Sequence, residues 1–469
     1  MIKVTKSIDE CQSLDICLIV ILPSENDTII KQIIKIIIMK KNIFNFMFLL
    51  ISTGLLAQAG HIMQGIGAVN MSMGGATTAQ PIDINGPLHW NPAAISVFDQ
   101  NVLSVNAGLF FSSPELSSTV PTPAGPFSGV TADDRGVSVM PALAMVFGQE
   151  ESPHTFGVSA FGISGFGVTF PESMTNPINM PQNAGGFGRI ESNYLLLQVG
   201  FTYAYEISKN LSIGLAPTIN YAALELAPNP LASPSQTLGY PVSKQSSAIG
   251  FGGQVGIFYQ SESGFKLGVS YKSPQFFSDF DFENTYLDES AAPNVAFNMD
   301  YPAIYSVGLG YSVDKLDIAI DYRYVDYANT DGFEKNGWTP VASVAGFGWE
   351  SISIISAGVQ FNGIEKVPLR VGYTYSSNPI TEDLAFFSTP ATAIIKNAFQ
   401  LGVGYEINDN LDLNATYHHG SSGGATSGQL LNPGLISEAD PLGKVPGSEV
   451  SYEMSTDMIM LGVNYRFSK

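Results

Sequence analysis

The sequence predicts an all-β fold: a 14-stranded antiparallel transmembrane β-barrel with an N-terminal hatch plugging its lumen. Three observations carry that prediction. The composition is poor in charge and rich in glycine and aromatics, a two-residue alternation runs from Asn101 onward, and the connections between strands alternate short and long.

Of 469 residues only 13% are charged, about half the share of an ordinary soluble domain. The balance of 41 acidic against 21 basic side chains leaves a formal charge of −20. Such a chain has no surplus of Lys or Arg to neutralise phosphates, which excludes a nucleic-acid partner. With 45% hydrophobic residues it is no disordered polymer. The 47 Gly, 29 Phe and 20 Tyr suit a wall with lipid outside and water inside.

The amino end reads as a leader. Met39-Lys40-Lys41 opens a basic region, Ile43 to Leu56 is apolar, and Ala57-Gln58-Ala59 gives the small-residue cleavage pattern before Gly60. Residues 1–59 are therefore expected to be a signal peptide carrying an additional N-terminal extension. A transmembrane anchor is the other reading, but the apolar run is shorter than the roughly 20 residues that a spanning helix needs. Cys11 and Cys17, the two cysteines, lie in this leader. The remainder then has no thiol for disulfides or catalysis.

Alternation is plain in Asn193 to Ile207, where Leu195, Leu197, Val199, Phe201, Tyr203, Tyr205 and Ile207 share one face. It recurs in Phe265–Lys272, Leu369–Tyr375, Phe399–Glu406 and Ile459–Phe467. Six short turns, at 148–154, 208–210, 261–264, 314–315, 362–367 and 408–410, intersperse with seven long loops, at 112–135, 168–191, 227–245, 273–301, 328–349, 377–395 and 420–454. That gives 14 strands with both termini on the short-turn, periplasmic side. Tyr203, Tyr205, Tyr271, Tyr322, Tyr324, Tyr373, Tyr375, Tyr405, Tyr417 and Tyr465 fall near strand ends, as an interfacial girdle requires. A soluble β-sandwich also alternates, but its strands are shorter.

Residues 60–97 lack alternation and carry Gly65, Gly67, Gly74, Gly75, Gly86, Pro81, Pro87 and Pro92. A barrel of 98–469 with 14 strands has room for such a segment as a plug. Met63, Ile66, Met71, Met73, Leu88, Trp90 and Ile95 need something to pack on, which argues against a free periplasmic tail.

The run Gly65-Ile66-Gly67-Ala68-Val69-Asn70-Met71-Ser72-Met73-Gly74-Gly75-Ala76, followed by His89-Trp90-Asn91-Pro92-Ala93-Ala94, resembles the hatch of the FadL/TodX family of long-chain fatty-acid outer-membrane transporters. Pro368 to Ile380 is similar to a strand-to-loop motif of that family. The resemblance covers Gly60 to Phe467, with two departures: Ala94 stands where the family often has Gly, and the chain ends Phe467-Ser468-Lys469 without a terminal aromatic. It implies a monomer in the outer membrane of a Gram-negative bacterium that takes up fatty acids or other hydrophobic molecules without a cofactor. It also implies ligand and hatch contacts at Trp90, Asn91, Pro92, Ala93, Gly74 and Gly75. A kinked third strand opening sideways to outer-membrane lipid is implied as well. The expected strand 155–167 carries Gly162, Gly165 and Gly167, which permit a bulge or simply suit a crowded wall.

Such a layout moves an oily ligand by replacing water with apolar surface, at roughly 25 cal/mol per Å². Phe276, Phe277, Phe280, Phe282, Phe347, Phe386 and Phe387 in the long loops can supply it, or can pack on one another. Release then requires movement near Asn91 to Ala93. Alternation places Lys266, Lys272, Arg323 and Arg370 on lumen faces, where each either meets a carboxylate head or pairs with Asp317, Asp321, Glu406 or Asp412. A neutral hydrocarbon needs none of them. Two other functions compete. A diffusion porin would have an unplugged polar lumen. A lipid-active enzyme would need a Ser-His or Asp-His pair, yet of five His only His418 falls on a lumen strand face, and His418 and His419 point apart. No metal site is expected.

Overall fold

The computed structural model describes residues 61–467. The expected leader, Gly60 and the terminal Ser468-Lys469 lie outside the described residues.

Fourteen long strands form one closed antiparallel wall. They are β1 (Val102–Thr122), β2 (Val137–Phe147), β3 (His154–Phe170), β4 (Ile190–Ser208), β5 (Leu211–Ala227), β6 (Ser246–Gln260) and β7 (Phe265–Lys272), then β8 (Ala303–Val313), β9 (Leu316–Asp326), β10 (Ile352–Phe361), β11 (Leu369–Ser376), β12 (Asn397–Asn408), β13 (Leu411–Ser421) and β14 (Glu449–Arg466). Each pairs with the next, and β1 closes on β14 from Val102↔Arg466 to Thr119↔Glu449. This seam leaves no open edge between the first and last strands, where each unpaired group in lipid would cost several kcal/mol. The outward positions of β14, Ile459, Leu461, Val463 and Tyr465, are exposed, while Met458, Met460 and Asn464 point inward and are buried. Alternation in the sequence reports this two-sided wall.

The six periplasmic turns fall where the spacing predicts. Strand lengths differ from expectation at the outer rim. Residues 112–122 continue β1 rather than forming a loop, and the chain returns as a strand over Gly125–Ala132. Pro114 reads as a breaker, but it sits between Phe111, the last residue paired with β2, and Glu115, the first paired with the returning strand. No partner on that side asks for its missing N–H.

The third strand leaves the wall halfway. β2 pairs with β3 only from Ala142↔Phe161 to Phe147↔Phe156, while its remaining positions up to Val137 stay on β1. In the pairing of β3 with β4 the register slips between Gly162 and Ser164, leaving Ile163 as an extra residue. Beyond it β3 is buried along nearly its whole remaining length.

Inside the barrel, residues 61–98 form α1 (Gly67–Ser72), α2 (Asn85–Trp90) and a 3₁₀ turn over Pro92–Val97. Helices this short do not persist alone; the wall holds them. Met63, Ile66, Met71, Met73, Leu88, Trp90 and Ile95 are all buried. The wall meets this segment through inward-facing glycines. A Cβ on Gly214 would strike Pro92 and Ala93, one on Gly256 the Asn91 side chain, and one on Gly268 the Thr78 carbonyl. Gly358 and Gly372 press on Met73 and Gly74, and Gly402 on Ser72. Gly268, Gly372 and Gly402, each inside a Leu-Gly-Val or Val-Gly-Tyr stretch of the wall, are therefore the space that the hatch occupies.

Replacing Gly372 with Leu should force the Ser72–Gly74 turn off the wall at an overpacking cost of about 1–3 kcal/mol. Urea unfolding in lipid vesicles measures it, and Val371→Leu on the lipid face should stay within about 0.5 kcal/mol of the unaltered protein.

Candidate functional site

A buried carboxylate of the wall gathers several groups of the hatch. Asp321 Oδ2 on β9 accepts hydrogen bonds from the backbone N–H of Thr77 and of Thr78, both at 2.9 Å, and from Thr78 Oγ1 at 2.8 Å. Arg323, two residues along and so on the same lumen face, pairs with that carboxylate at 2.5 Å and donates to the Gly75 carbonyl at 2.7 Å. Its guanidinium also lies over the Trp90 ring, 3.8 Å from the centroid. All three side chains are buried.

The residues expected at the hatch are brought together here. Gly74 and Gly75 end α1 with φ of +66° and +76°, a left-handed turn that favours glycine. The Gly74 carbonyl accepts from Thr374 Oγ1 at 2.9 Å. Asn91 caps the 3₁₀ turn: its Oδ1 accepts from Ala93 N at 3.1 Å. Its Nδ2 donates to the carbonyls of Thr78 (2.7 Å) and Ile257 (3.1 Å), joining two hatch segments to β6. Pro92 and Ala93 rest on Gly214. Asn91 thus spends its amide on positioning the hatch.

The four lumen cations have separate surroundings. Lys266 donates to Gln80 Oε1 and Ser312 Oγ at the periplasmic end. Arg370 donates to Gln360 Oε1 and to Asn414 Oδ1. Lys272, fully buried, lies 3.2 Å from His89 Nδ1 and 3.3 Å from Gln198 Oε1. Only Arg323 of these four forms an ion pair among the described residues. His418 is buried against Gln400, whereas His419 faces outward to Asp457.

Above the hatch, His61 is enclosed by rings. Phe333, Tyr327, Tyr301, Trp349, Tyr194 and Phe166 lie with centroids 4.9–6.5 Å from it. Its Nδ1 is 2.6 Å from the Tyr327 hydroxyl, and burial pushes its pKa down to about 3, so it is neutral at physiological pH. His61 and Met63 also hold the detached half of β3: Gly165 N donates to the His61 carbonyl and Met63 N to the Ile163 carbonyl, both at 3.1 Å. Further along the same edge of β3, Thr169 N donates to Asp133, and Arg135 lies against Gly167. Sequence reasoning missed the roles of His61, Asp133 and Arg135, which nothing local to them announces. The shared face of Asp321 and Arg323 follows from their two-residue spacing.

Two hollows flank this core. At the outer loops a cleft of about 50 Å³ is lined by Phe187, Tyr240, Trp338, Phe386, Phe387 and Pro390 among others, with no charged side chain. Phe280 and Phe282 instead pack in a small sheet of outer-loop strands. Below the hatch, a polar chamber of about 290 Å³ contains Asp83, Arg370, Glu406, Asp412 and Arg466.

Among curated protein sequences none matches this chain. A family model described as outer membrane protein transport protein (OMPP1/FadL/TodX) matches residues 50–468. The chain belongs to that family. The FadL/TodX assignment places it in the outer membrane of Gram-negative bacteria as a transporter rather than an enzyme. Its fold is similar to the Pseudomonas putida toluene transporter TodX (TM-score 0.62, 16% identity, 87% of this chain and 99% of that one). It is also similar to a Pseudomonas aeruginosa FadL homologue (0.67, 12%, 87% and 100%) and to the Ralstonia pickettii toluene transporter TbuX (0.56, 19%, 86% and 99%).

Asp321→Ala should cost about 3–5 kcal/mol, because it strands a buried guanidinium and two hatch N–H groups. Planar-bilayer recordings should then show a leak that Asp321→Asn, which keeps an acceptor, shows less. A second outcome concerns Asp83, whose pKa burial raises to about 6 against opposing hydrogen bonds from Asn85 and Gly86. A carboxyl with a raised folded pKa favours the native state below its unfolded pKa of 3.8, an advantage lost as pH rises towards 6. Unfolding midpoints should fall between pH 4 and 7, by an amount on the order of 1–3 kcal/mol, and Asp83→Asn should flatten that slope.

Proposed function

We propose that this protein takes up a neutral hydrophobic small molecule, of the size of a monoaromatic hydrocarbon, and releases it sideways into the membrane at β3. The observation that carries the reading is the departure of β3 from β2 above Phe161, beside a hydrophobic core that holds two groups of aromatic rings. One group lies at the outer cleft, where Trp338 packs on Phe387 and Phe386 on Phe187. The other centres on Phe347, which packs on Phe333 and on Phe166 of β3, and both belong to the same core. A ligand moving along it exchanges one apolar surface for another, so no step exposes it to water. The outer cleft is small, and capture parts the loops that line it.

Gly162, Gly165 and Gly167 are the hinge of the opening: Gly162 borders the extra residue, and Gly167 leaves the place that Arg135 fills. In this reading Asn91, Pro92 and Ala93 keep the hatch seated while the ligand leaves above them, so the movement falls on His61–Met63 and not on the Asn91 cap. The charge-free cleft favours a neutral ligand. Two of the solved relatives are named as toluene transporters and one as a FadL homologue. A fatty acid is the second reading, and Lys272 favours it: this buried ammonium has neutral groups as its hydrogen-bond partners. A diffusion porin is disfavoured by the buried, multiply bonded hatch.

Deleting Ile163 should restore a continuous register between β3 and β4 and seal the wall. Uptake of radiolabelled toluene by cells should drop by about tenfold, while the protein keeps its heat-modifiable gel mobility as proof of a folded barrel. Unchanged uptake would remove the sideways exit. Competition by oleate but not by toluene would favour the fatty-acid reading.

A further inference from the structure

The outer wall itself carries a hollow that the transport path does not use. A groove of about 680 Å³ crosses the lipid-facing side of β4 to β9. Its floor is made of short aliphatic side chains, among them Leu215, Val255, Ile257 and Val269. Large rings stand at both ends. Tyr203 and Tyr205 close the β4 end, and Tyr271 and Tyr305, packed with centroids 5.0 Å apart, close the other.

One row of paired residues, Tyr205↔Ile213↔Ile257↔Val269↔Val307, traces its course. Tyr205 stands three positions from the periplasmic end of β4 at Ser208, and Val307 six positions from that of β8 at Val313. The groove therefore starts at the periplasmic interface and climbs into the hydrocarbon. The row from Tyr205 to Val307 spans five strands, which at about 4.8 Å spacing is roughly 19 Å.

Tyr203 at its lower end also lines a second hollow at the periplasmic rim, which includes Asn101, Gln149, Ser152 and His154. The Tyr203 hydroxyl lies 2.8 Å from His154 Nδ1 at that junction. An apolar groove thus adjoins polar groups at the water boundary, in the order in which a phospholipid is built.

We propose that this surface seats one glycerophospholipid of the periplasmic leaflet, with an acyl chain in the groove and its headgroup at the Gln149–His154 rim. The surface faces the bilayer, so its occupant comes from the bilayer, and an unfilled groove would forfeit dispersion contacts on every lining atom. The ring pairs flanking its ends set this seat apart from the rest of the wall. The proposal rests on the barrel alone and is independent of which molecule is transported.

Native mass spectrometry of the full chain in detergent, titrated with palmitoyl-oleoyl phosphatidylethanolamine, tests it. The expected result is one lipid per barrel that survives collisional activation. Val255→Trp, which fills the groove from a side chain 54% exposed, should weaken that lipid about tenfold. Val371→Trp, 57% exposed on β11 away from the groove, should not. Heat-modifiable mobility checks that each variant is folded, and Leu215→Phe serves in place of Val255→Trp if that variant is not. Equal retention by both tryptophan variants, or the absence of a single retained lipid, would overturn the seat. Preferential retention of lipid A over the phospholipid would overturn its assignment to the periplasmic leaflet.

Discussion

Everything in this molecule depends on backbone hydrogen bonding in a medium that offers no water. The ladder between β1 and β14 satisfies the last two strand edges, and once it closes the interior becomes a separate compartment. Inside that compartment polar groups are again affordable. Buried amides, a buried ion pair and a carboxylate with four donors all sit within a wall whose other face is Ile, Leu, Val and Tyr. The strict alternation of the strands is the physical record of that division.

The departure of β3 from β2 lies where ligand passage is proposed. Above Phe161, β3 exchanges its neighbour β2 for contacts with the N-terminal residues His61–Met63 and with the loop carrying Asp133 and Arg135. Backbone groups there are satisfied by the segment that leads into the hatch and by a loop, instead of by another strand. An unpaired edge is costly in lipid, and these contacts supply the partners that β2 does not.

Much of this was legible in the sequence, because barrel walls are periodic. Strand number, the six tight turns, the lipid-facing tyrosines and the plugging of the lumen all follow from alternation, spacing and apolar content in residues 60–97. The outer part of β1 was not legible, since Pro114 and Pro121 look like loop residues until the hairpin that flanks them is seen. The site was legible only in part. Asn91 and Gly75 stand out as motif residues, yet what they contact depends on strands 150 to 250 positions away. His61 and Arg135 carry no local pattern at all, and their roles arise only from tertiary placement. The wall glycines were visible but not interpretable, because their reason is the hatch backbone on the other side.

Those glycines also constrain how the protein comes into being. The hatch leaves the ribosome ahead of every strand, yet α1 rests against β11 to β14 as well as β1, from both ends of the chain. Its docking cannot finish before the last strands arrive, and once the seam has zipped it has no open side by which to enter. Biogenesis must therefore wrap a cylinder around its own cork. The order in which those strands can close is thus constrained by where the small residues lie.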